Sequence, residues 1–190
     1  MKVSREQMAE NHRRILEAAG RLFRERGFDS VTVAEVMKAA GLTHGGFYGH
    51  FRSKDDLIAE TLAHALASVP SPTASLDRYA DGYLSSRHRD DRASGCPTAA
   101  LATEASRQSP EARAAMTAVL RKQIEALSAC AEGTSASEKR RAAIGSWSAM
   151  VGAVILARLS DDPGLSDEML RSTREWVADA ATRQGMAVRA

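Results

Sequence analysis

The chain has 190 residues, 44% of them hydrophobic and 26% charged, a length for one ordinary domain or for a small module joined to a medium one. That apolar share excludes a disordered chain, and no uninterrupted apolar run approaches the ~20 residues of a bilayer span, so no transmembrane segment is expected. The formal net charge of +2 is unevenly spread: residues 1–54 hold ten basic and six acidic side chains and three of the five histidines (His12, His44 and His50), a mildly basic head that suits a polyanion partner or an ordinary solvated surface.

Only 5% of residues are aromatic and alanine is abundant, which favours helix over a β-sandwich or barrel. Met8, Ile15, Ala19, Leu22 and Phe23 form one apolar stripe, and Gly27 ends that helix. Thr32, Val33, Ala34 and Glu35 have capping-box spacing and open a short helix through about Ala40, stopped by Gly41. Thr43 can cap a third short helix containing Phe47, Tyr48 and His50. Ser53, Lys54, Asp55 and Asp56 open a fourth, where Leu57, Ile58, Leu62 and Leu66 recur at helical spacing. Pro70 and Pro72 then break the chain, whereas Pro97, Pro110 and Pro163 each suit a helix's first turn. The polar stretches 85–95 and 131–137 read as loops, leaving helices near 74–87, 97–107, 110–130, 138–160 and 166–184. The expected fold is all-α, with about nine helices, no strands and no internal repeat.

Residues 32–51 have the dimensions of a helix-turn-helix, whose second helix enters the DNA major groove. Val33, Val36, Met37, Ala40, Leu42, Phe47 and Phe51 can pack this pair against the first helix, and all four phenylalanines lie in the first 51 residues. With Phe47 inward, Thr43, His44, Gly46, Tyr48 and His50 reach the outer face. Thr32 and Thr43 place helix N-termini where phosphates can bind, and Lys54 suits a phosphate contact. Gly45, Gly46 and Gly49 each cost about 1 kcal/mol against alanine in a helix, but let backbone lie close to DNA.

The stretch from Thr32 to Leu57, with Ala40-Gly41-Leu42-Thr43, Phe47-Tyr48-Gly49-His50-Phe51 and Ser53-Lys54, resembles the TetR/AcrR family of bacterial transcription regulators. The preceding Ile15–Ala19, Leu22-Phe23 and Gly27-Phe28 fit as well, so the motif covers roughly residues 8–62. The resemblance implies an all-helical homodimer, with a helix-turn-helix DNA-binding domain at 1–52 and a ligand-binding and dimerisation domain at 53–190. By motif position, Thr43, His44, Gly46, Tyr48, His50 and Lys54 inherit DNA-facing roles, joined by Thr32 and Gly45. Gly49 stands where the family often has a second aromatic.

In the body, Trp147, Val151, Val154, Ile155, Met169 and Trp176 are the candidate dimer face, with an ordinary intrachain core as the alternative. A ligand pocket can draw on Tyr79, Tyr83, Leu101, Glu104, Met116, Leu120, Trp147 and Met150. Cys96, the N-cap before Pro97, is a candidate thiol sensor or a plain buried residue at a helix start. Two cysteines without CxxC spacing are too few for a disulfide scaffold, and the opening MKVSREQMAENHRR leads into no signal-type run, so a reducing cytoplasm is expected.

There is no HExxH, GxSxG, P-loop or dinucleotide fingerprint, and only Cys96 with His88 offers a nucleophile–base pair, across a loop. No enzyme activity, metal or cofactor is therefore expected. The chain is expected to be a transcriptional repressor on a pseudo-palindromic double-stranded operator, released by a small-molecule inducer or thiol modification and acting without a membrane. The alternative is a helical dimeric interaction module with no sequence-specific role.

Overall fold

The computed structural model describes residues 4–68 and 75–187. Among them are nine α-helices and no strand: α1 (Arg5–Arg26), α2 (Val33–Ala39), α3 (Lys54–Ala65), α4 (Leu76–Tyr83), α5 (Ser86–Asp90), α6 (Pro97–Ala105), α7 (Pro110–Cys130), α8 (Ala136–Leu159) and α9 (Pro163–Ala187). Short 3-10 helices span His44–Gly49 and Leu66–Ser68. Pro70, Pro72 and the start of the helix expected at 74 lie outside the described residues.

Local chemistry places the helix starts. Hydroxyls of Ser4, Thr32, Ser53, Ser75, Ser85 and Ser135 each accept a backbone N–H of the first turn. Full capping boxes form at Thr32 with Glu35 and at Ser135 with Glu138. The three expected prolines open α6, α7 and α9, and Asp162 Oδ1 accepts the Gly164 N–H at 2.8 Å.

Contacts divide the chain into two compact units. The first comprises residues up to Ser68 with Cys96–Val119, that is α1–α3, α6 and the first half of α7. Its core holds all four phenylalanines with Ile15, Val31, Val36, Met37, Leu57 and Leu62. The rings of Phe23 and Phe28 meet edge-on at 5.2 Å, and those of Phe47 and Phe51 stack at 5.6 Å. Fully burying such a side chain contributes roughly 1.5–3 kcal/mol, enough for four rings to anchor a small head. The second unit, Val69–Gly95 with Leu120–Ala190, is built on α8 packed against α9, its core including Leu127, Ala143, Trp147, Met150, Val154, Leu170 and Val177.

Two expectations are corrected. The third short helix is 3-10 rather than α, and Thr43 makes no side-chain cap bond. Three glycines in six residues give too little α propensity to complete an α turn there. The helix expected over 74–87 breaks at Leu84, where Ser85 caps a new helix, so α5 occupies part of the expected 85–95 loop. Among the described residues one helix, α8, is long and apolar enough to cross a bilayer by length and composition, an 18-residue window of it having a mean hydropathy of 1.6. Ser146 and Ser148 interrupt its apolar run in the sequence, and 39% of the apolar window is buried within the protein.

Candidate nucleic-acid interface

The His44–Gly49 segment is held from behind by its own aromatic residues. Phe47 and Phe51 are buried, and Phe47 packs edge-on against Tyr48 at 5.3 Å. Tyr48 itself is 73% exposed, beside exposed Thr43, His44, Gly45, Gly46 and Gly49. His50 is half-buried, and Lys54, the first residue of α3, is half-exposed. The expected outward residues thus lie on one short segment, with His50 recessed beside it.

Thr32 is placed differently from the expectation. Its backbone N–H donates to Glu35 Oε2 at 2.8 Å and its hydroxyl to the same oxygen at 2.7 Å, so a carboxylate already fills the start of α2. The Thr32 N–H holds the Glu35 carboxyl down to about 2, helped by the Thr32 hydroxyl and Arg26, which bonds it at 2.9 Å. That negative charge works against a phosphate at this terminus.

Three braces escaped the sequence reading because each joins residues far apart in the chain. Arg14 of α1 donates to the Ala40 carbonyl at the end of α2. His12 bonds Glu60 of α3 at 2.9 Å and stacks on Phe51 at 4.7 Å, with the His50 ring 5.9 Å away. Burial, then the neighbouring His12, pushes the His50 imidazole below its ordinary value. Glu104 of α6 accepts the Phe28 N–H at 2.7 Å. Only the basic residues' clustering in the head hinted at any of these.

The other predicted sites scatter. Of the proposed pocket, Leu101, Glu104 and Met116 belong to the first unit and Tyr79, Tyr83, Leu120, Trp147 and Met150 to the second. Tyr79 and Tyr83 stack at 5.6 Å, and Gln123 Nε2 donates to the Tyr79 hydroxyl at 3.1 Å. Trp147 is buried, and among the described residues its Nε1–H meets no acceptor. A cavity of about 380 Å³ in the second unit is lined by none of these eight residues but by others including Arg89, Arg92 and Arg158. Arg158 donates to the carbonyls of His88 and Arg89, and Arg89 bonds Asp90, Asp167 and Ser166, so this wall is knitted to itself.

On the candidate dimer face, Trp147 and Val154 belong to the chain's own core, which corrects their assignment. Periodicity alone could not choose between faces of a helix apolar nearly all round. Val151 and Met169 are half-buried, while Ile155 and Trp176 are exposed. The open stripe on α8 runs through Ile144, Ser148, Val151, Ile155 and Leu159. Cys96 is the N-cap of α6 without a side-chain cap bond, and both cysteines are thiols; burial raises the Cys130 thiol.

Comparison with known proteins supplies the family. Residues 15–61 match the model of bacterial regulatory proteins of the tetR family, and residues 72–187 that of the C-terminal domain of LmrA/YxaF-like transcriptional regulators. The chain is 40% identical over 57 residues to the HTH-type transcriptional regulator AcrR of Shigella flexneri, covering 30% of this chain and 26% of that one. It is 38% identical over 73 residues to an HTH-type transcriptional repressor of Mycobacterium tuberculosis, covering 37% and 39%. The matched segments therefore span well under half of these relatives. The fold is similar to that of reduced NemR from E. coli, with a TM-score of 0.71 at 23% identity over 89% of this chain and 95% of that one. A TetR regulator from Legionella pneumophila gives 0.69 at 19% identity over 88% and 95%. With an N-terminal tetR-family model and a C-terminal regulator-domain model that together cover most of its length, the chain belongs to the TetR family of bacterial transcriptional regulators.

Proposed function

We propose that the protein is a transcriptional repressor that binds a two-fold operator as a homodimer and is released by a small molecule or by modification of Cys96. The observation that carries this is the His44–Gly49 segment, with Phe47 and Phe51 turned in and His44, Gly45, Gly46 and Tyr48 turned out. Such a surface offers a ring hydroxyl, an imidazole and side-chain-free backbone to a groove, and Lys54 a cation to a phosphate. Thr43 and His50 complete the proposed contact set, with residues 1–52 as DNA-binding head and 53–190 as ligand-binding and dimerisation body. A two-fold operator needs a two-fold protein, and the α8 stripe with exposed Trp176 of α9 supports pairing of two copies. The buried Trp147 Nε1–H supports a ligand carrying an acceptor in the body, and a cytoplasmic setting follows from this role. Release requires the inducer to bind a state whose heads no longer match the half-sites more tightly than the DNA-bound state.

Footprinting on the protein's own promoter region tests the reading. Two related half-sites that survive competitor DNA are expected. Tyr48→Ala and Lys54→Ala should weaken binding at every site, the latter reducing the salt slope by about one, while changes at His44 should alter sequence preference. Unchanged affinity in all three variants removes this surface from consideration.

A further inference from the structure

The sequence offers Glu104 to a ligand pocket, and the structure gives its carboxylate a partner in the head. It reaches from α6 to the corner after α1 and accepts the Phe28 N–H at 2.7 Å. The corner is shaped for it. Gly27 has φ +81, and a Cβ there would stand 2.6 Å from Glu104 Oε1, so glycine supplies both the backbone conformation and the room. Phe28 cannot drift, because its ring is wholly buried against Phe23. From Phe28 the chain runs through Val31, also wholly buried, to the Thr32 capping box that starts α2, and α2 packs on the His44–Gly49 segment. One hydrogen bond to a charged acceptor therefore sits at the head of a short, tightly packed path to the candidate DNA-reading surface.

We propose that Glu104 is a positioning residue for DNA binding, fixing from α6 the Phe28 corner that sets α2 and the recognition segment. This rests on the DNA-binding reading above. Because α6 lies in the stretch matched by the C-terminal domain model, a residue of that stretch holds the N-terminal head in register. Linkage makes the effect reciprocal: DNA on the head must also steady α6. The sign of the effect is diagnostic. A negative charge with no positioning role repels a polyanion, so its removal strengthens DNA binding. Removal of a positioning residue weakens it.

The test uses the full chain, the promoter fragment footprinted with the unmodified protein, and Glu104→Ala and Glu104→Gln. Affinity should fall about tenfold in Glu104→Ala with an unchanged salt slope, and recover to within about threefold in Glu104→Gln, whose amide oxygen still accepts. Without DNA, exchange of the Phe28 amide should accelerate in Glu104→Ala while helicity by circular dichroism stays the same. In the unmodified protein, the promoter fragment should slow amide exchange over residues 97–105. Binding by Glu104→Ala as tight as or tighter than the unmodified protein overturns the proposal. Should that variant fail to fold, exchange over 97–105 that ignores DNA in the unmodified protein overturns it equally. Failure of the unmodified protein to bind any promoter DNA instead removes the DNA-binding reading itself, before any variant is measured.

Discussion

Two adjacent residues, Phe47 and Tyr48, show how finely the head divides its work. Phe47 is 1% exposed and Tyr48 73%. Phe47→Ala should cost about 3–5 kcal/mol in a urea titration, since the cavity opens between Phe51 and α2. Tyr48→Ala should leave stability within about 0.5 kcal/mol and cost DNA affinity instead. A large stability loss at Tyr48 would show that its ring is a core group after all. Gly41 is a third residue with one assignable task. Its φ is +71, and the Arg14 guanidinium that bonds Ala40 would meet a Cβ at 2.7 Å. Gly41→Ala should therefore destabilise by about 1–2 kcal/mol, with the denaturation midpoint as the readout.

At the scale of single elements, α2 depends on its capping box. The folded chain holds the Glu35 carboxyl at about 2 against an ordinary 4.5, so the stability it lends is complete above about pH 4.5 and is lost as pH falls towards 2. His50 adds a second limb of the same sign. Its folded value is depressed by burial and by His12, so its contribution is complete above the ordinary 6.5 and is lost as acid protonates it. Melting temperature should thus fall in two stages on acidification, the upper shared by His50 with His88, which burial also lowers, and the lower shared by Glu35 with the ion-paired or hydrogen-bonded Glu10, Asp56, Asp90 and Glu138; Glu35→Gln should reduce the lower stage and leave the upper unchanged. A lower stage undiminished in Glu35→Gln would show that the capping box lends no acid-labile stability. The Ser135 box on α8 offers a simpler check: Ser135→Ala should cost about 1 kcal/mol.

For the whole molecule, the open stripe of α8 is the proposed pairing surface. Leu159 is 79% exposed and Ile155 lies one turn before it, an apolar surface that a lone chain leaves in water. Ile155→Asp with Leu159→Asp should convert a dimer to a monomer in sedimentation or light scattering, without loss of helicity. Operator binding should then lose its two-half-site footprint and fall to the weak affinity of one head. A double variant that stays dimeric moves the interface to another face.

Much of this protein could be read along the chain, because much of it is local. Hydroxyls before helices, prolines in first turns, glycines at helix ends and the phenylalanines of the head act within a few residues of themselves, so Thr32, Ser53, Pro97 and Gly27 announced their elements directly. The motif around Phe47–Phe51 carried the family for the same reason. What only the tertiary structure decided are contacts between residues tens of positions apart: Glu104 on Phe28, Arg14 on Ala40, His12 on Glu60. No periodicity encodes which carboxylate will meet which amide. It likewise could not say which side of α8 faces its own core, since a helix apolar on most faces fits either way until its neighbour α9 takes one of them.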